Sequence, residues 1–389
     1  MANSPAFVAD EARRLEEFPI LRERIFLAHA GVTSLPKCAA DAMHAHISAS
    51  CEHHQEFGDV MRDIGRTRAI SAKLIGADAK EIALLGPTSL GLSLFANGLD
   101  WHEGDEVVCY RDDYPSNVYP WTNLTQQGVR IVELKPEAAG KITPELVEAA
   151  LTPRTKLVAL ASCHFLTGWR IDVDTIGAML QARGIRFSLD AIQTLGAFPT
   201  LVKFVDFLSA DAHKWMLGPL SIGIVYVAEE RFAECRPTLL GSWNIKSPNF
   251  VSQPEIEFYE TAQRYEPGVL NVTGIYGMKA SLEMLLGVGI DEVARLILDV
   301  SDYLHGELAE LGFEFLSAPR DHAWRSGIVT ARHPKKSSAE LFAALEKANI
   351  VASLRANRAG EEWLRFSPHF YNTRGDMERV VAGLKTALA

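Results

Sequence analysis

The sequence predicts an α/β fold, with a large unit on a mostly parallel sheet covered by helices and a smaller α+β unit at the C-terminus. Three observations predict it. Short apolar runs alternate with amphipathic stretches between residues 81 and 227, the pattern of repeated strand–helix–strand units. The chemically distinctive residues of that region fall at or just past the ends of the apolar runs, the sheet edge at which such folds bind ligands. The last stretch, from Gly327 onward, mixes strand-like and helical patterns, and 389 residues are enough for more than one unit.

Taken in order, Arg24-Ile25-Phe26-Leu27 reads as a short strand before the turn Ala28-His29-Ala30-Gly31. Arg62 to Leu74 follows a helical period that ends near Gly76. Glu81 to Leu85 is a strand candidate, and Gly86-Pro87-Thr88-Ser89 opens an apolar helix, Leu90 to Leu99. Hydroxyl residues at such a helix start either cap the helix or help form an anion site, because the first N–H groups lack partners there. Glu106 to Tyr110 is the next strand, and Tyr114 follows it, placed either in the core or flat against a planar ligand. Lys156 to Ala161 is strongly strand-like and runs into Ser162-Cys163-His164-Phe165. Asp172 to Arg183 is an amphipathic helix stopped by Gly184.

Two acid- and amine-bearing motifs follow. Ile185 to Asp190 is an apolar run that ends in a carboxylate. Val205 to Gly218 begins as a second apolar run and reaches Ala212-His213-Lys214-Trp215. A surface lysine can snorkel past a tryptophan, but a buried one loses its proton readily and becomes an amine nucleophile. A lysine and a carboxylate at the ends of two buried strands suit pyridoxal 5'-phosphate. That cofactor takes a lysine for its Schiff base and a carboxylate against its ring nitrogen. Asp190 and Lys214 are therefore the expected catalytic pair. Ser221 to Val227 closes the large unit. Ile290 to Leu311 is a long helix. Gly327 to Thr330, the helix Ser338 to Asn349, the strands Ile350 to Leu354 and Trp363 to Phe366, and the helix Met377 to Leu388 compose the smaller one.

The pairing of Ser188-Leu189-Asp190-Ala191-Ile192-Gln193 with Ala210-Asp211-Ala212-His213-Lys214-Trp215 resembles the class V aminotransferase family, over nearly the whole chain from about Phe26. The resemblance implies a fold-type-I pyridoxal-phosphate enzyme. It also implies roles: Thr88, Ser89 and His213 near the phosphate, Tyr114 on the ring face and Gln193 near the ring hydroxyl. Arg365 would grip the substrate carboxylate, and His29 would either reach the mouth of the site as a substrate contact or belong to a structural N-terminal strand. Departures from the family's desulfurase branch stand out. Phe165 occupies the position of an asparagine and Val269 that of a threonine. Asp211 replaces a phosphate-binding serine, and no cysteine occurs from Ser353 to Glu362. Persulfide chemistry from that loop is thereby excluded. Transamination of an amino acid or amine is the first expectation, β-elimination as in a C–S lyase the second, and epimerisation the third. The segment Arg264 to Asn271 resembles one that completes a neighbouring subunit's site, which implies a homodimer with shared active sites.

Composition limits the alternatives. With 48% hydrophobic and 23% charged residues the chain has the make-up of a soluble globular protein, and its net charge of −10 disfavours nucleic-acid and anionic-membrane partners. No long apolar run suits a bilayer, and the N-terminal residues lack a signal core. Five scattered cysteines without metal-type spacing fit a cytoplasmic location and no metal site. No Gly-x-Gly-x-x-Gly turn follows the first strand of the large unit, which disfavours a nicotinamide-dependent oxidoreductase. The expected organisation is an N-terminal segment, 1–24, on the small domain, a large domain, 25–275, and a small domain, 276–389.

Overall fold

The computed structural model describes residues 10–53, 55, 57–317 and 323–389. The first nine residues of the expected N-terminal segment lie outside them. Strand β1 (Ile25–Phe26) precedes the main sheet. The sheet is built from β2 (Ile82–Leu84), β3 (Glu106–Cys109), β4 (Arg130–Glu133), β5 (Thr155–Ala161), β6 (Arg186–Asp190), β7 (Phe207–Asp211) and β8 (Gly223–Val227). Among the described residues these seven strands lie in the order β2-β8-β7-β6-β5-β3-β4. The five from β4 to β7 run parallel, β8 is antiparallel to β7, and β2 is antiparallel to β8.

Side chains of these strands alternate between two cores, as a period of two requires. Val108, Val158, Leu160, Phe187 and Leu208 join Ile64, Leu180 and Leu282 on one face. Val107, Leu157, Ala159 and Phe207 join Phe95, Trp121 and Tyr265 on the other. With helices on both faces, β7 and β8 are buried at every position, which is why their sequences are apolar rather than alternating. Each fully buried large side chain contributes roughly 1.5–3 kcal/mol of transfer free energy.

The helix Thr88–Gly98 lies close against β7, because Gly91 presents no Cβ to Ser209 and Ser209 Oγ donates to Thr88 O at 3.0 Å. That contact sets the helix N-terminus beside the β7 end. Helix Val173–Ala182 is capped by Asp172, whose side chain accepts from Thr175 N, and Gly184 (φ +69°) turns the chain into β6.

The C-terminal unit contains β9 (Glu314–Phe315), β10 (Val329–Arg332), β11 (Ile350–Val351), β12 (Ser353–Ala356) and β13 (Glu362–Phe366). Four of them form an antiparallel sheet in the order β12-β13-β10-β9. The single strand expected over Ile350 to Leu354 is split at Ala352. Its first half, β11, pairs in parallel with β1, and its second half pairs with β13. Helices Ile290–Glu310, Ser338–Lys347 and Arg374–Leu388 pack on this unit, the last two opened by capping boxes from Ser337 and Thr373. Residues 275 and 276 lie inside one helix, Val272–Val288, which packs against Lys37–His53 and Phe57–Ile75. Arg14 joins the N-terminal segment to the C-terminal helix through a buried ion pair with Asp376 at 2.9 Å. Among the described residues no helix is long and apolar enough to cross a membrane.

Candidate active site

The parallel strands deliver their chemistry to one edge. Asp190 ends β6 beside Ser209 of β7 and Ala161 of β5. Lys214 lies three residues past the end of β7, in a turn clamped from several sides. Trp215 is fully buried, and its Nε1 donates to Gln193 Oε1 at 2.8 Å. Trp215 O accepts from His369 Nε2 at 2.9 Å, while Thr33 N donates to His213 O at 2.8 Å. Leu217 completes the turn with φ +55°, a left-handed conformation that a branched side chain adopts only under constraint. Gly196, at φ +90°, lets the preceding loop run against the Trp215 backbone where any Cβ would collide.

A cavity of about 530 Å³ opens at this edge, within the size range of small-molecule sites. Thr88, Ser89, Tyr114, Asp190, Gln193, His213, Lys214 and Arg365 all line it. Eight of the nine residues expected at the site are thus brought together. His29 is the exception. It is fully buried, its Nδ1 donates to Ser367 O at 2.8 Å, and its Nε2 accepts from the Tyr371 hydroxyl at 2.7 Å. Burial holds this imidazole well below its ordinary value, so it is neutral, which fixes that tautomer. The expected substrate contact is therefore corrected: His29 supports the floor, and Ala30, Gly31 and Val32 form the wall instead.

Burial sets the electrostatics. It lowers the Lys214 ammonium to about 8, opposed by the nearby Asp190 charge. It raises the Asp190 carboxyl to about 7, helped by the charge of Asp113. Asp190 Oδ1 accepts from Ile192 N at 3.1 Å, and Oδ2 receives no hydrogen bond from the described residues. Asp113 is itself raised to about 6 by burial, although it accepts from Asn117 Nδ2, Tyr114 N and Ala161 N. It thereby pins the Tyr114 backbone. The Tyr114 ring, 45% exposed, stands at the cavity wall rather than in the core, with Lys214 Nζ 5.3 Å from its centroid.

The anion end is built differently from the expectation in one respect. Thr88 Oγ1 accepts from Asp211 N at 2.8 Å, so this hydroxyl also ties the helix to β7. No side chain caps the helix, which leaves its first N–H groups open at the cavity. Asp211 turns its carboxylate inward. Its Oδ1 accepts from Ala212 N at 2.9 Å and Ile222 N at 3.2 Å. Its Oδ2 lies 3.0 Å from His213 Nδ1, without hydrogen-bond alignment. A carboxylate in the serine position therefore does not face the anion end. The Gln193 amide accepts from Trp215 Nε1, and its Nε2 donates to Ala30 O at 3.1 Å, which leaves it one further N–H at the cavity. Ser162 and His164, the polar residues nearest Phe165 in the sequence, do not line the cavity. Ser162 bonds Asp190 O and Thr194, and His164 bonds Thr167 and Asp112 O. Asn271 caps its own helix, accepting from Gly274 N at 3.0 Å.

Two residues that shape the site carry no local signal in the sequence. Asp113 carries no motif and acts through its burial. Arg355, in β12, lines the cavity beside Arg365. Arg365 is 2% exposed, its Nη1 donates to Phe165 O at 2.6 Å, and its Nε has no partner among the described residues. Burial, with Arg355 nearby, lowers this guanidinium to about 9.

The residues present fit pyridoxal phosphate. The uncapped helix start suits a phosphate, the Tyr114 face suits a pyridine ring, the unpaired Asp190 oxygen suits a ring N–H, and Lys214 is poised to lose its proton. One prediction follows. Capture of the cofactor by the apoprotein needs the neutral amine, whose fraction grows as pH rises through about 8. The rate of uptake, followed by absorbance, is therefore expected to climb roughly tenfold per pH unit below that value and level off above it. A rate still rising at pH 10 would mean an unperturbed lysine.

A family model described as Aminotransferase class-V matches residues 25–380. "Probable cysteine desulfurase" of Methanothermobacter thermautotrophicus is 26% identical over 323 residues, covering 80% of this chain and 79% of that protein. "Uncharacterized aminotransferase YcbU" of Bacillus subtilis is 25% identical over 371 residues, covering 94% of each. The apo structure of a cysteine desulfurase from Thermococcus onnurineus NA1 superposes with a TM-score of 0.88 at 24% identity, over 97% of each chain, which is a likeness of fold.

Proposed function

Because the chain belongs to the Aminotransferase class-V family, which uses pyridoxal phosphate, we propose that it transfers the amino group of an α-amino acid, with Lys214 as its base. One observation carries the reading. Lys214, Asp190, Tyr114 and Arg365 line a single cavity, and no cysteine lines it among the described residues.

Pyridoxal phosphate supplies an aldehyde that condenses with amines and a protonated ring that accepts the electron pair released at Cα. The chain's own residues do the rest. Arg365, held by Phe165 O, offers its remaining N–H groups to the α-carboxylate and fixes the amino acid in one orientation. Lys214, as the neutral amine, would take the Cα proton and, as an ammonium made more acidic by burial, would release it to the carbon that bore the cofactor's aldehyde rather than back to Cα. Asp190 would hold a proton on the ring nitrogen. Tyr114 would cover the ring face, and the open N–H groups at Thr88 and Ser89, with His213, would hold the phosphate. Exposed Val269, Leu239 and Leu240 support a second copy of the chain packing on this side, completing a homodimer.

The lyase reading has one observation in its favour, the desulfurase descriptions of several relatives. A desulfurase of the loop-thiol type needs a cysteine between β12 and β13, and that turn has none. A β-elimination that uses no enzyme thiol is the form that remains.

An amino donor added without acceptor separates the two. Transamination bleaches the cofactor absorbance once, with one equivalent of keto acid, and an added keto acid restores it. Continuous release of ammonia and pyruvate from cysteine or cystine, with the absorbance unchanged, would overturn the transaminase reading.

A further inference from the structure

Cationic side chains outnumber anionic ones along the cavity. Lys214, Arg355 and Arg365 line it, and Asp190 is its one carboxylate among the described residues. Asp190 and Lys214 are taken by the cofactor in the reading above, and the phosphate is met by the helix start. That leaves two guanidinium groups for the substrate, whereas an ordinary amino acid brings one carboxylate.

The two arginines are set by strand register. Ser353 of β12 pairs with Arg365 of β13, and Arg355 pairs with Trp363. Arg355 and Arg365 are therefore diagonal neighbours on one face of the antiparallel pair. A methyl group built on Gly31 would lie 3.5 Å from Arg355 Nη2 and 3.6 Å from Arg365 Nη2, so both forks converge on the same part of the wall. Neither forms an ion pair with an acid among the described residues. Nearby Asp112 pairs with Arg358 instead. Their depths differ: Arg365 is buried at the floor, whereas Arg355 is exposed at the mouth, with Nη1 donating to Leu354 O at 3.1 Å.

We propose that Arg355 reads a second carboxylate, so that the cavity takes an α-amino dicarboxylic acid of the aspartate or glutamate class. The inference rests on the amino-acid reading above and specifies its substrate. Arg365 uses its free edge on the α-carboxylate, deep in the cavity. A short acidic side chain then ends at the mouth, where Arg355 stands. Two like charges converging on one monocarboxylate leave an uncompensated cation in a partly desolvated site, and a second carboxylate cancels it. A site built around an ionic partner rejects analogues that lack it. Gly31 leaves room for both forks.

Calorimetric titration of the holoenzyme with two unreactive ligands tests this without turnover. Succinate is expected to bind at least about tenfold tighter than butyrate, the range of a charge-assisted contact. Arg355→Gln is expected to bring succinate down to the butyrate level, and Arg355→Lys to restore part of the preference. Arg365→Gln is expected to weaken both ligands. Equal loss of both ligands in Arg355→Gln would mean that the arginines share one carboxylate and would overturn the proposal. So would equal affinities in the unaltered protein. Failure of the underlying reading looks different: the holoenzyme would release ammonia and pyruvate continuously from cysteine or cystine, whichever of the two ligands it binds more tightly.

Discussion

Lys214→Ala is expected to abolish the yellow absorbance of the purified protein and to lower turnover by at least about 10³-fold. The change removes the nucleophile and the base together. No other lysine lines the cavity among the described residues. Folding is not at risk, because burial already disfavours the ammonium form of this side chain, and alanine relieves that cost. The melting temperature of the apoprotein is therefore expected to hold or rise. An added small amine is expected to rescue part of the activity, because the space vacated by the side chain opens into the cavity. Normal absorbance and turnover in this variant would remove Lys214 from its role.

Asp190→Asn is the second large effect, and it moves activity and stability in different directions. Asparagine keeps an oxygen for Ile192 N–H but cannot hold a proton on the ring nitrogen, so turnover is expected to fall by about 10²–10³-fold, as for loss of a key electrostatic group. The stability sign follows from the raised carboxyl. Its folded value, about 7, exceeds the ordinary 3.8. The folded chain therefore keeps a proton that the unfolded chain releases. That contribution is fully present below 3.8 and is lost as pH rises through about 7. Apoprotein carrying Asp190→Asn is expected to lose this slope, which melting curves across that range report. An unchanged slope would mean that Asp190 is not strained by burial and by Asp113.

Much of this was legible because burial on both faces leaves a plain mark. Strands β5 to β8 read as apolar runs because helices cover them, and Asp190 and Lys214 stood out as charges that end such runs. The edge strand β4 was not read, since no residue of it is buried and its pattern carries no signal. Helix Val272–Val288 was missed for the opposite reason. It is apolar on several sides and interrupted by Gly274 and Gly277, because it is sandwiched between other helices. Helix Lys37–His53 buries little beyond Ala39 and shows weak periodicity. The split at Ala352 is a tertiary choice: β1, more than 300 residues earlier in the chain, captures Ile350 and Val351.

The site divides in the same way. Residues at strand ends carried their own context. A histidine after a short strand, such as His29, looks the same in sequence whether it faces a ligand or the Ser367 and Tyr371 groups beneath it. Arg355 has no signal of its own in the sequence, because its importance comes from a diagonal across β12 and β13, which no local pattern encodes. Asp113 acts through its distance from Asp190, set by the β3 and β6 ends on either side of β5.

The central claim is that Lys214 carries pyridoxal phosphate in this cavity. Borohydride reduction of the purified protein, followed by digestion and mass spectrometry, tests it most directly. The account predicts the cofactor mass on the peptide that contains Lys214 and on no other. A reduced protein without that mass, or with it on a different lysine, would contradict the account.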